Sequence, residues 1–351
     1  MNKKLVATLV CGAAVGMMAM SAQATKVGFA MKTLNGPYFV GLVDGVKAAC
    51  EERGWECEVL TADEDIMKEA ENIETFITKG MDVVFLDSID PDACIPSIDA
   101  CAEAGIPLIN LDSGVNGGNY VTTVYSDNKE NGRLSGLAYI DWMNANDKAD
   151  EPIVAILLSG AKGNVAGAER RGGLFAGIVQ GRTGCTTEEA WEASAAIEEQ
   201  LVAGGTAEYP DANFSIVGQG WGAWTVEDGL VAAEDFITAN KDSITTLLGE
   251  NDQMLFGGMT ALENAGLEGI AVVAAADGAK EAFDLIKEND TAVNPYIVSG
   301  LNSPSLVGAT GIEIAEQIIN GASWDEFEQI TLTKAAGVTK EIVDEYYDYG
   351  F

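Results

Sequence analysis

The stretch that decides the fold is residues 25–62, TKVGFAMKTLNGPYFVGLVDGVKAACEERGWECEVLTA. Its apolar start, KVGFAM, predicts a buried strand, and YFVGLVDGVKAACEERG predicts an amphipathic helix that ends at Gly54. WECEVLTA then predicts a second strand. A strand, a helix and another strand in this order form the unit from which parallel sheets are built. The stretch therefore predicts an α/β protein.

The same alternation continues along the chain. Further strand patterns lie at residues 81–88, 106–113, 121–128, 152–160, 212–220, 244–252, 270–278 and 296–304, with helical patterns between most of them. About ten such units exceed the number of strands that is usual in a single sheet, and the pattern restarts near Glu151-Pro152. We therefore expect two doubly wound parallel-sheet lobes, in which ligands bind outside the carboxyl ends of the strands.

Composition excludes several classes of function. The 351 residues include 20 Lys and Arg against 55 Asp and Glu, which gives a net charge of −35. Such a surface repels phosphate backbones and anionic membranes, so we expect no nucleic-acid partner and no lipid partner. Histidine is absent, which excludes Ser-His-Asp and Cys-His catalysis. We expect no enzyme, no catalytic residue, no bound metal and no cofactor.

The first 24 residues have the features of a secretory signal. A basic start, MNKK, precedes an apolar run and the small-residue ending SAQA, which predicts cleavage after Ala24. Removal of Lys3 and Lys4 brings the net charge to −37 (18 minus 55). A membrane anchor is disfavoured because the run is short, and a lipid site at Cys11 because Val10 precedes it. We expect a periplasmic protein without stable membrane insertion.

Beyond residue 24 the chain contains five cysteines, Cys50, Cys57, Cys94, Cys101 and Cys185. Export permits disulfides, and Cys50 and Cys57 could meet across the turn between a predicted helix and strand. Cys94 and Cys101 lie about 10 Å apart on one predicted helix, which is too far for a bridge unless the helix is broken. The spacings do not match a zinc site, and one cysteine is left over.

Polar and aromatic residues gather at the predicted strand ends: Lys32, Tyr38, Phe39, Asp87, Asp112, Ser113, Arg170, Arg171, Trp221, Trp224, Glu250, Asn251, Asp252, Asp277 and Asn302. A hydroxyl-rich ligand needs planar polar groups that pair with neighbouring hydroxyls and aromatic plates that cover its C–H faces. Any single Asp or Asn could instead cap a helix, Tyr38 and Phe39 could be core residues, and the arginine pair could be solvated. The joint pattern favours a ligand site.

Six motifs in one order resemble a known family. They are TLNGPYFVGLVDGVKAACEERGWECEVL, GIPLINLDS, YSDNKENGRLSG, ERRGGLFAGI, GENDQMLFGGMTALENAG and VVAAADG. Over residues 25–340 the chain resembles periplasmic sugar-binding proteins of the ribose-binding type, which feed ABC transporters. The resemblance implies two lobes with a ligand cleft between them, residues 25–126 plus 303–330 and residues 127–302 plus 331–351. Three hinge crossings would lie near Ser126-Asp127, near Asn302-Ser303 and near Ile330.

The resemblance also implies a ligand site. Tyr38 and Phe39 would be stacking rings of the first lobe, and Asp112 would pair with hydroxyls. The second lobe would supply Arg170 as a bidentate donor, Trp224 as the facing plate, and Asn251, Asp277 and Asn302 as polar ends. Arg171 would replace Arg170 if the helix began one residue later.

The chain departs from a ribose binder at four positions. Ser113 stands where arginine is usual, Gly36 where asparagine is usual, Lys32 where a small hydroxyl residue is usual, and Ala276 where an aromatic is common. These departures leave the class intact but argue against ribose itself, and Trp224 together with the extra Lys32 points to a larger sugar, a polyol or a sugar acid. Lys32 would either bind an acidic group of the ligand or form a salt bridge to Asp112, and we favour the bridge.

The function that the resemblance implies is solute capture by hinge closure and delivery to an ABC transporter permease by a monomer. One alternative is a sensor that docks on a chemoreceptor or a sensor kinase. A second is a glycoside-processing enzyme that uses Asp112 and Asp277 as its carboxylate pair. A dinucleotide fingerprint at Gly218, Gly220 and Ala223 is disfavoured because Trp221 lies inside it, where backbone must approach pyrophosphate.

Overall fold

The computed structural model describes residues 24–289 and 291–351. Residues 1–23, which carry nearly all of the predicted signal peptide, lie outside the described residues. Strands and helices alternate through most of the described chain, as the hydrophobic pattern predicts. In the part of the chain that the structure describes, no helix combines the length and the apolar character needed to span a bilayer.

The strands are β1 (Lys26–Met31), β2 (Glu56–Thr61), β3 (Val83–Leu86), β4 (Leu108–Leu111), β5 (Thr122–Tyr125), β6 (Ile153–Ser159), β7 (Ala207–Tyr209), β8 (Phe214–Trp221), β9 (Thr246–Gly249), β10 (Ala271–Asp277), β11 (Tyr296–Leu301), β12 (Ile330–Leu332) and β13 (Gly337–Thr339). The helices are α1 (Pro37–Glu52), α2 (Ile66–Lys79), α3 (Ile95–Glu103), α4 (Asn128–Ala145), α5 (Val165–Thr183), α6 (Thr187–Gly204), α7 (Val226–Asn240), α8 (Asp252–Asn264), α9 (Lys280–Lys287), α10 (Pro304–Ile319) and α11 (Val343–Tyr346).

The first sheet has the strand order β12-β5-β4-β3-β1-β2, and its neighbouring strands pair in parallel. Helices α1 and α10 bury apolar side chains against one face, together with Phe29 and Phe85. Helices α2 and α3 cover the other face through Phe76 and Ile98. Burial on both faces is the reason these strands are continuous apolar runs.

The second sheet has the order β13-β11-β10-β9-β6-β8-β7. Its central strands are parallel, whereas the edge strands β7 and β13 pair antiparallel with β8 and β11. Helices α7, α8 and α9 cover one face, and α4, α5 and α6 cover the other. The prediction of an α/β protein with two parallel-sheet lobes is confirmed.

The chain passes between the two sheets three times. It leaves β5 for α4 at residues 126–127, leaves β11 for α10 at residues 302–303, and leaves β12 for β13 at residues 333–336. Helix α10 packs against α1 and so returns to the first sheet. Strand β12 extends that sheet to Leu332, past the boundary expected at residue 330. The lobe boundaries stay a prediction.

The five cysteines beyond residue 24 are free thiols. The side chains of Cys50 and Cys57, the pair that the sequence could bring together, do contact each other. The hydrogen bond that Cys50 donates to Cys57, together with burial, raises the pKa of Cys50, and the same bond lowers the pKa of Cys57. Burial raises the pKa of Cys94 to about 11 and that of Cys101 to about 12, so these two behave as inert core thiols.

Candidate functional site

A lysine lies among two carboxylates and a hydroxyl where β1, β3 and β4 end. Lys32 Nζ is 3.1 Å from Asp87 Oδ1 and 3.4 Å from Asp112 Oδ2. It donates to Ser113 Oγ at 2.6 Å, and Ser113 Oγ in turn donates to Asp87 Oδ1 at 2.6 Å. The predicted salt bridge between Lys32 and Asp112 is confirmed, and Asp87 is a second carboxylate partner.

Burial and charge act in opposite directions on the pKa values of this cluster. Burial lowers the pKa of Lys32, but the negative charges of Asp87 and Asp112 outweigh it, and the pKa of Lys32 is raised. Burial also raises the pKa of Asp87 to about 7, although the charge of Lys32 opposes the rise. Asp87 Oδ2 is buried and has no hydrogen-bond partner among the described residues, which favours the protonated form of this carboxyl.

We expect Asp87→Asn to remove part of the pH dependence of stability between about pH 4 and about pH 7. The pKa of Asp87 is raised in the folded state, so its contribution is fully present below the unfolded pKa and is lost as the pH rises through about 7. Urea unfolding across this range should show the wild type losing stability relative to the variant as the pH rises. A difference that stays constant or grows with pH would contradict the assignment.

Two aromatic rings project from the start of α1. Gly36, at φ 119°, caps the helix in a conformation that suits glycine. Tyr38 OH donates to Asp112 Oδ1 at 2.7 Å, and burial followed by the charge of Asp112 raises the pKa of Tyr38. The Phe39 ring lies edge-on to Tyr38 with centroids 5.7 Å apart, and it also packs against the core of the first lobe. Tyr38 is thus hydrogen-bonded to the polar cluster, and Lys32 Nζ of the same cluster lies 4.8 Å from the centroid of the Phe39 ring.

Arg170 is the main cation of the second lobe. Its Nη1 lies 2.9 Å from Asp277 Oδ1, its Nε donates to Asn128 Oδ1 at 2.9 Å, and its Cζ lies 5.6 Å from the centroid of the Trp224 ring. Burial lowers the pKa of Arg170, whereas the charge of Asp277 raises it, and the net pKa is raised. Arg170 and Asp277 are both buried, so each charge is stabilised by the opposite charge of its partner.

The neighbouring Arg171 points to different partners. Its Nε donates to Glu198 Oε2 at 2.8 Å, and its Nη1 donates to Glu250 Oε1 at 3.0 Å. Its Cζ lies 6.0 Å from the Trp221 ring. Arg170, and not Arg171, therefore pairs with the predicted site carboxylate Asp277.

Trp224 lies on a loop that follows β8 and has a left-handed backbone, with φ 68°. A Cβ added to Gly160 would lie 2.1 Å from the Trp224 ring, so the ring needs a glycine beneath it. Asn251 Nδ2 donates to Trp224 O at 3.3 Å, and Asn251 Oδ1 accepts from Met254 N at 3.1 Å as the N-cap of α8. Asn251 thus holds the loop and caps the helix, and its contact with a ligand stays a prediction.

Asn302, at the second crossing, connects the two lobes. Its Nδ2 donates to Asp277 Oδ1 at 3.1 Å, and its Oδ1 accepts from Tyr38 OH at 3.4 Å. A continuous polar chain therefore runs from one lobe to the other through Lys32, Asp112, Tyr38, Asn302, Asp277 and Arg170. The fold brings residues far apart in sequence into one polar chain, with the Trp224 ring beside it.

Four residues that the structure ties to this site were not among the predicted ligand contacts, Asp87, Asn128, Glu250 and Asp252, although all of them except Asn128 were placed at predicted strand ends. Asp252 accepts from the backbone N of Asp277, Gly278 and Ala279 at 3.1, 2.9 and 2.7 Å. Burial raises its pKa. The signal in the sequence that could have found Asp252 and Asp87 is their position after a predicted strand. Within residues 24–289 and 291–351, no group of three or more acidic or cysteine side chains is arranged to hold a metal ion.

The fold and the site define a two-lobed binding protein, and comparison with known proteins agrees. The model of the periplasmic binding protein domain matches residues 27–323. The chain belongs to this family, whose members include sugar-binding proteins of ABC transporters. It is a family of solute-binding proteins and not of enzymes.

Curated relatives match between about two thirds and nearly all of the chain. The ribose import binding protein RbsB of Salmonella typhimurium is 26% identical over 323 residues, which are 92% of this chain and 94% of the relative. RbsB of Escherichia coli K12 is 26% identical over 325 residues, which are again 92% of this chain and 94% of the relative. The D-apiose import binding protein of Actinobacillus succinogenes is 24% identical over 238 residues, 68% of this chain and 65% of the relative.

Solved structures share the fold. An ABC transporter periplasmic solute-binding protein from Actinobacillus succinogenes 130Z, with bound D-allose, has a TM-score of 0.71 at 23% identity and covers 92% of this chain and 100% of that chain. The myo-inositol binding protein of Caulobacter, bound to myo-inositol, has a TM-score of 0.67 at 20% identity. The match covers 92% of this chain and 96% of that chain. At these identities the likeness concerns the fold alone.

Proposed function

We propose that this protein captures a monosaccharide or a related polyol between its lobes and delivers it to an ABC transporter from the periplasm as a monomer. The observation that carries the proposal is the polar chain across the two lobes, flanked by the rings of Tyr38 and Trp224. Carboxylate, amide and guanidinium groups can each bind two neighbouring hydroxyls, and the rings suit C–H faces. The binding of related sugars by the curated relatives supports the same class.

The charges favour a neutral ligand over a sugar acid. Lys32 is engaged by Asp87 and Asp112, and Arg170 is engaged by Asp277. Among these residues Lys32 and Arg170 are thus already paired with Asp112 and Asp277, so a ligand carboxylate would enter without a free cation to pair with. Burying an unpaired charge is costly, so of the ligands that the sequence left open we propose the neutral ones.

The proposed mechanism is closure about the three crossings. In the open form each lobe would present its half of the polar chain to solvent. A ligand that hydrogen-bonds Asp112 on one lobe and Asp277 on the other favours the closed form, because only that form makes both sets of contacts. Asn302 lies at a crossing and bonds residues of both lobes, so it is well placed to respond to closure.

We expect at least one neutral sugar or polyol to bind and the sugar acid to fail. Mass spectrometry of small molecules released from gently purified protein identifies a carried ligand. Titration calorimetry with D-ribose, D-allose, xylitol, myo-inositol and the sugar acid D-gluconate then compares affinities. Tighter binding of D-gluconate would overturn the neutral class, and failure of every compound together with the absence of a released sugar would overturn the function.

Two further measurements separate the proposal from the alternatives. Chemical change of a bound sugar during incubation would favour the glycoside-processing enzyme. Loss of uptake of the radiolabelled ligand in a strain that lacks this gene would support transport, whereas normal uptake with a lost chemotactic response would favour the sensor.

A further inference from the structure

The C-terminal segment, residues 343–351, is attached to the second lobe. Lys287 Nζ lies 3.0 Å from Asp344 Oδ1 and 3.8 Å from the centroid of the Tyr347 ring. Tyr347 OH donates to Asp284 Oδ1 at 2.9 Å. Asp284 and Lys287 belong to α9, so the segment is held on the helix that follows the strand of Asp277.

The end of this segment crosses to the first lobe. Backbone N of Lys280, the first residue of α9, donates to Phe351 O at 3.2 Å. The Cβ of Phe351 nonetheless lies close to α1, since a Cβ added to Gly41 would be 3.2 Å from it. Phe351 is thus held through its backbone by the second lobe, and its side chain packs on the first.

A second bond fixes the segment at the hinge. Ser303 Oγ donates to Tyr349 O at 2.7 Å, and Ser303 Oγ also caps α10 by accepting from Leu306 N at 3.2 Å. Ser303 follows Asn302 at the second crossing between the sheets. The segment therefore passes beside the hinge residue that joins the two halves of the polar chain.

The side chain of Phe351 meets the candidate ligand ring. The Phe351 and Tyr38 rings are edge-to-face, with centroids 5.7 Å apart and an interplanar angle of 89°. Phe39 meets the Tyr38 ring at the same separation and at 87°. Edge-to-face aromatic pairs are a favoured geometry. Tyr38 is held by one neighbour from its own helix and by one from the C-terminal segment, while its hydroxyl is held by Asp112.

We propose that Phe351 is a positioning residue for the ligand site, which orients the Tyr38 ring and couples that orientation to the placement of the second lobe. The expected effect on affinity rests on the proposed function, because the orientation of Tyr38 affects binding only if the cleft takes a ligand. The contact itself is independent of any ligand. A relative movement of the lobes would shift the α9-bound backbone of Phe351 over α1, so the packing of its ring on Tyr38 depends on where the second lobe lies.

The test uses the full chain with 3-fluorotyrosine at position 38, which keeps the hydroxyl, and reads its ¹⁹F resonance in ligand-free protein. Phe351→Ala should shift the resonance, and Phe351→Tyr, which restores a ring, should return it toward the wild-type position. The matched control is Tyr209→Phe, which removes a tyrosine hydroxyl on β7, at the far edge of the second sheet, and should leave the resonance unchanged.

Affinity is measured on unlabelled variants with D-ribose, D-allose, xylitol and myo-inositol. Phe351→Ala should lower the affinity for the compound that wild type binds best by about threefold to tenfold, which is the equivalent of one edge-to-face pair. Phe351→Tyr should recover most of the loss.

The outcomes separate this inference from the proposed function. An unmoved ¹⁹F resonance in Phe351→Ala overturns the inference even if sugars bind normally, as does a moved resonance with unchanged affinity. If no compound binds to wild type, the proposed function fails, and the resonance alone decides whether Phe351 positions Tyr38.

Discussion

The Trp224→Ala protein is expected to bind the selected sugar about 30-fold more weakly than wild type, the effect of losing one central aromatic worth about 2 kcal/mol. The Trp224 ring lies 5.6 Å from Arg170 Cζ and is seated on Gly160, so it is placed to cover one face of a ligand. Its removal also takes away a flat neighbour of the buried Arg170. Titration calorimetry measures the loss, and circular dichroism checks that the fold survives.

A matched control lies three residues earlier, at the last residue of β8. Trp221→Ala removes a ring that contacts Lys162 at 5.5 Å and Arg171 at 6.0 Å, and neither cation belongs to the polar chain. We expect its affinity to stay within about threefold of wild type, as for most residues outside a hot spot. Equal losses in both variants would mean that Trp224 does not have the stacking role assigned to it.

Gly160→Ala offers a second approach to the same ring. A Cβ at this position would lie 2.1 Å from the Trp224 ring, so the ring must move although its chemistry is kept. We expect this variant to lose affinity in the same direction as Trp224→Ala. Normal affinity in Gly160→Ala would show that the position of the ring does not matter for binding.

The Asp252→Ala protein is expected to be less stable than wild type by about 3 kcal/mol or more, because several buried donors lose their acceptor at once. Asp252 Oδ2 accepts three backbone N–H groups from residues 277–279. Its Oδ1 accepts from Tyr296 OH at 2.6 Å and from Ser299 Oγ at 2.7 Å. Asp252 thereby joins the start of α8 to the end of β10 and to two side chains of β11. Urea unfolding followed by circular dichroism measures the loss.

The control for this prediction is Asp228→Ala. Asp228 is also an aspartate in the first turn of a helix, α7, but it is exposed and accepts only from Thr225 Oγ1 at 3.1 Å. We expect a change of about 0.5 kcal/mol or less, as is usual for exposed sites. If the urea concentration at the unfolding midpoint were the same for Asp252→Ala as for Asp228→Ala, the structural role of Asp252 would be refuted.

Asp252 also links stability to the candidate site. One of its three backbone donors is the N–H of Asp277 itself, the residue that pairs with Arg170 and Asn302. Loss of the Asp252 carboxylate should therefore weaken ligand binding as well as the fold. Because Asp252 is fully buried, we expect this second effect to come from displacement of Asp277 and not from a lost ligand contact.

Most of the long elements could be predicted because their hydrophobic patterns are clear. The strands that became β1, β3, β6, β10 and β11 are apolar runs bounded by turn residues, and they are buried on both faces. Sequence reasoning missed α6 and the short strands β7, β12 and β13. Three residues carry no readable periodicity, and these strands exist because a neighbouring strand supplies their hydrogen bonds.

The candidate site could be predicted in location, but of its side-chain pairings the sequence predicted only the bridge between Lys32 and Asp112. Position after a strand selected Asp112, Asp277 and Asn302, because parallel strands bring their carboxyl ends to one edge. The same rule could not separate Asn251 from Asp252, which are adjacent. The structure places Asn251 at a helix cap and Asp252 beneath the end of β10, since side chains one residue apart at a helix start point in different directions.

By itself the sequence determined the two-lobed α/β fold, the edge of the sheets where the polar residues gather, and the family resemblance. The first two follow from local periodicity and from the rule that parallel strands end together, whereas the resemblance rests on the six motifs and their order. Only the tertiary structure decided that Lys32 is paired with two carboxylates, that Arg170 and not Arg171 meets Asp277, and that Phe351 packs on Tyr38. Such pairings join residues that are up to hundreds of positions apart, and their distances depend on how whole helices and sheets pack, which no local pattern records.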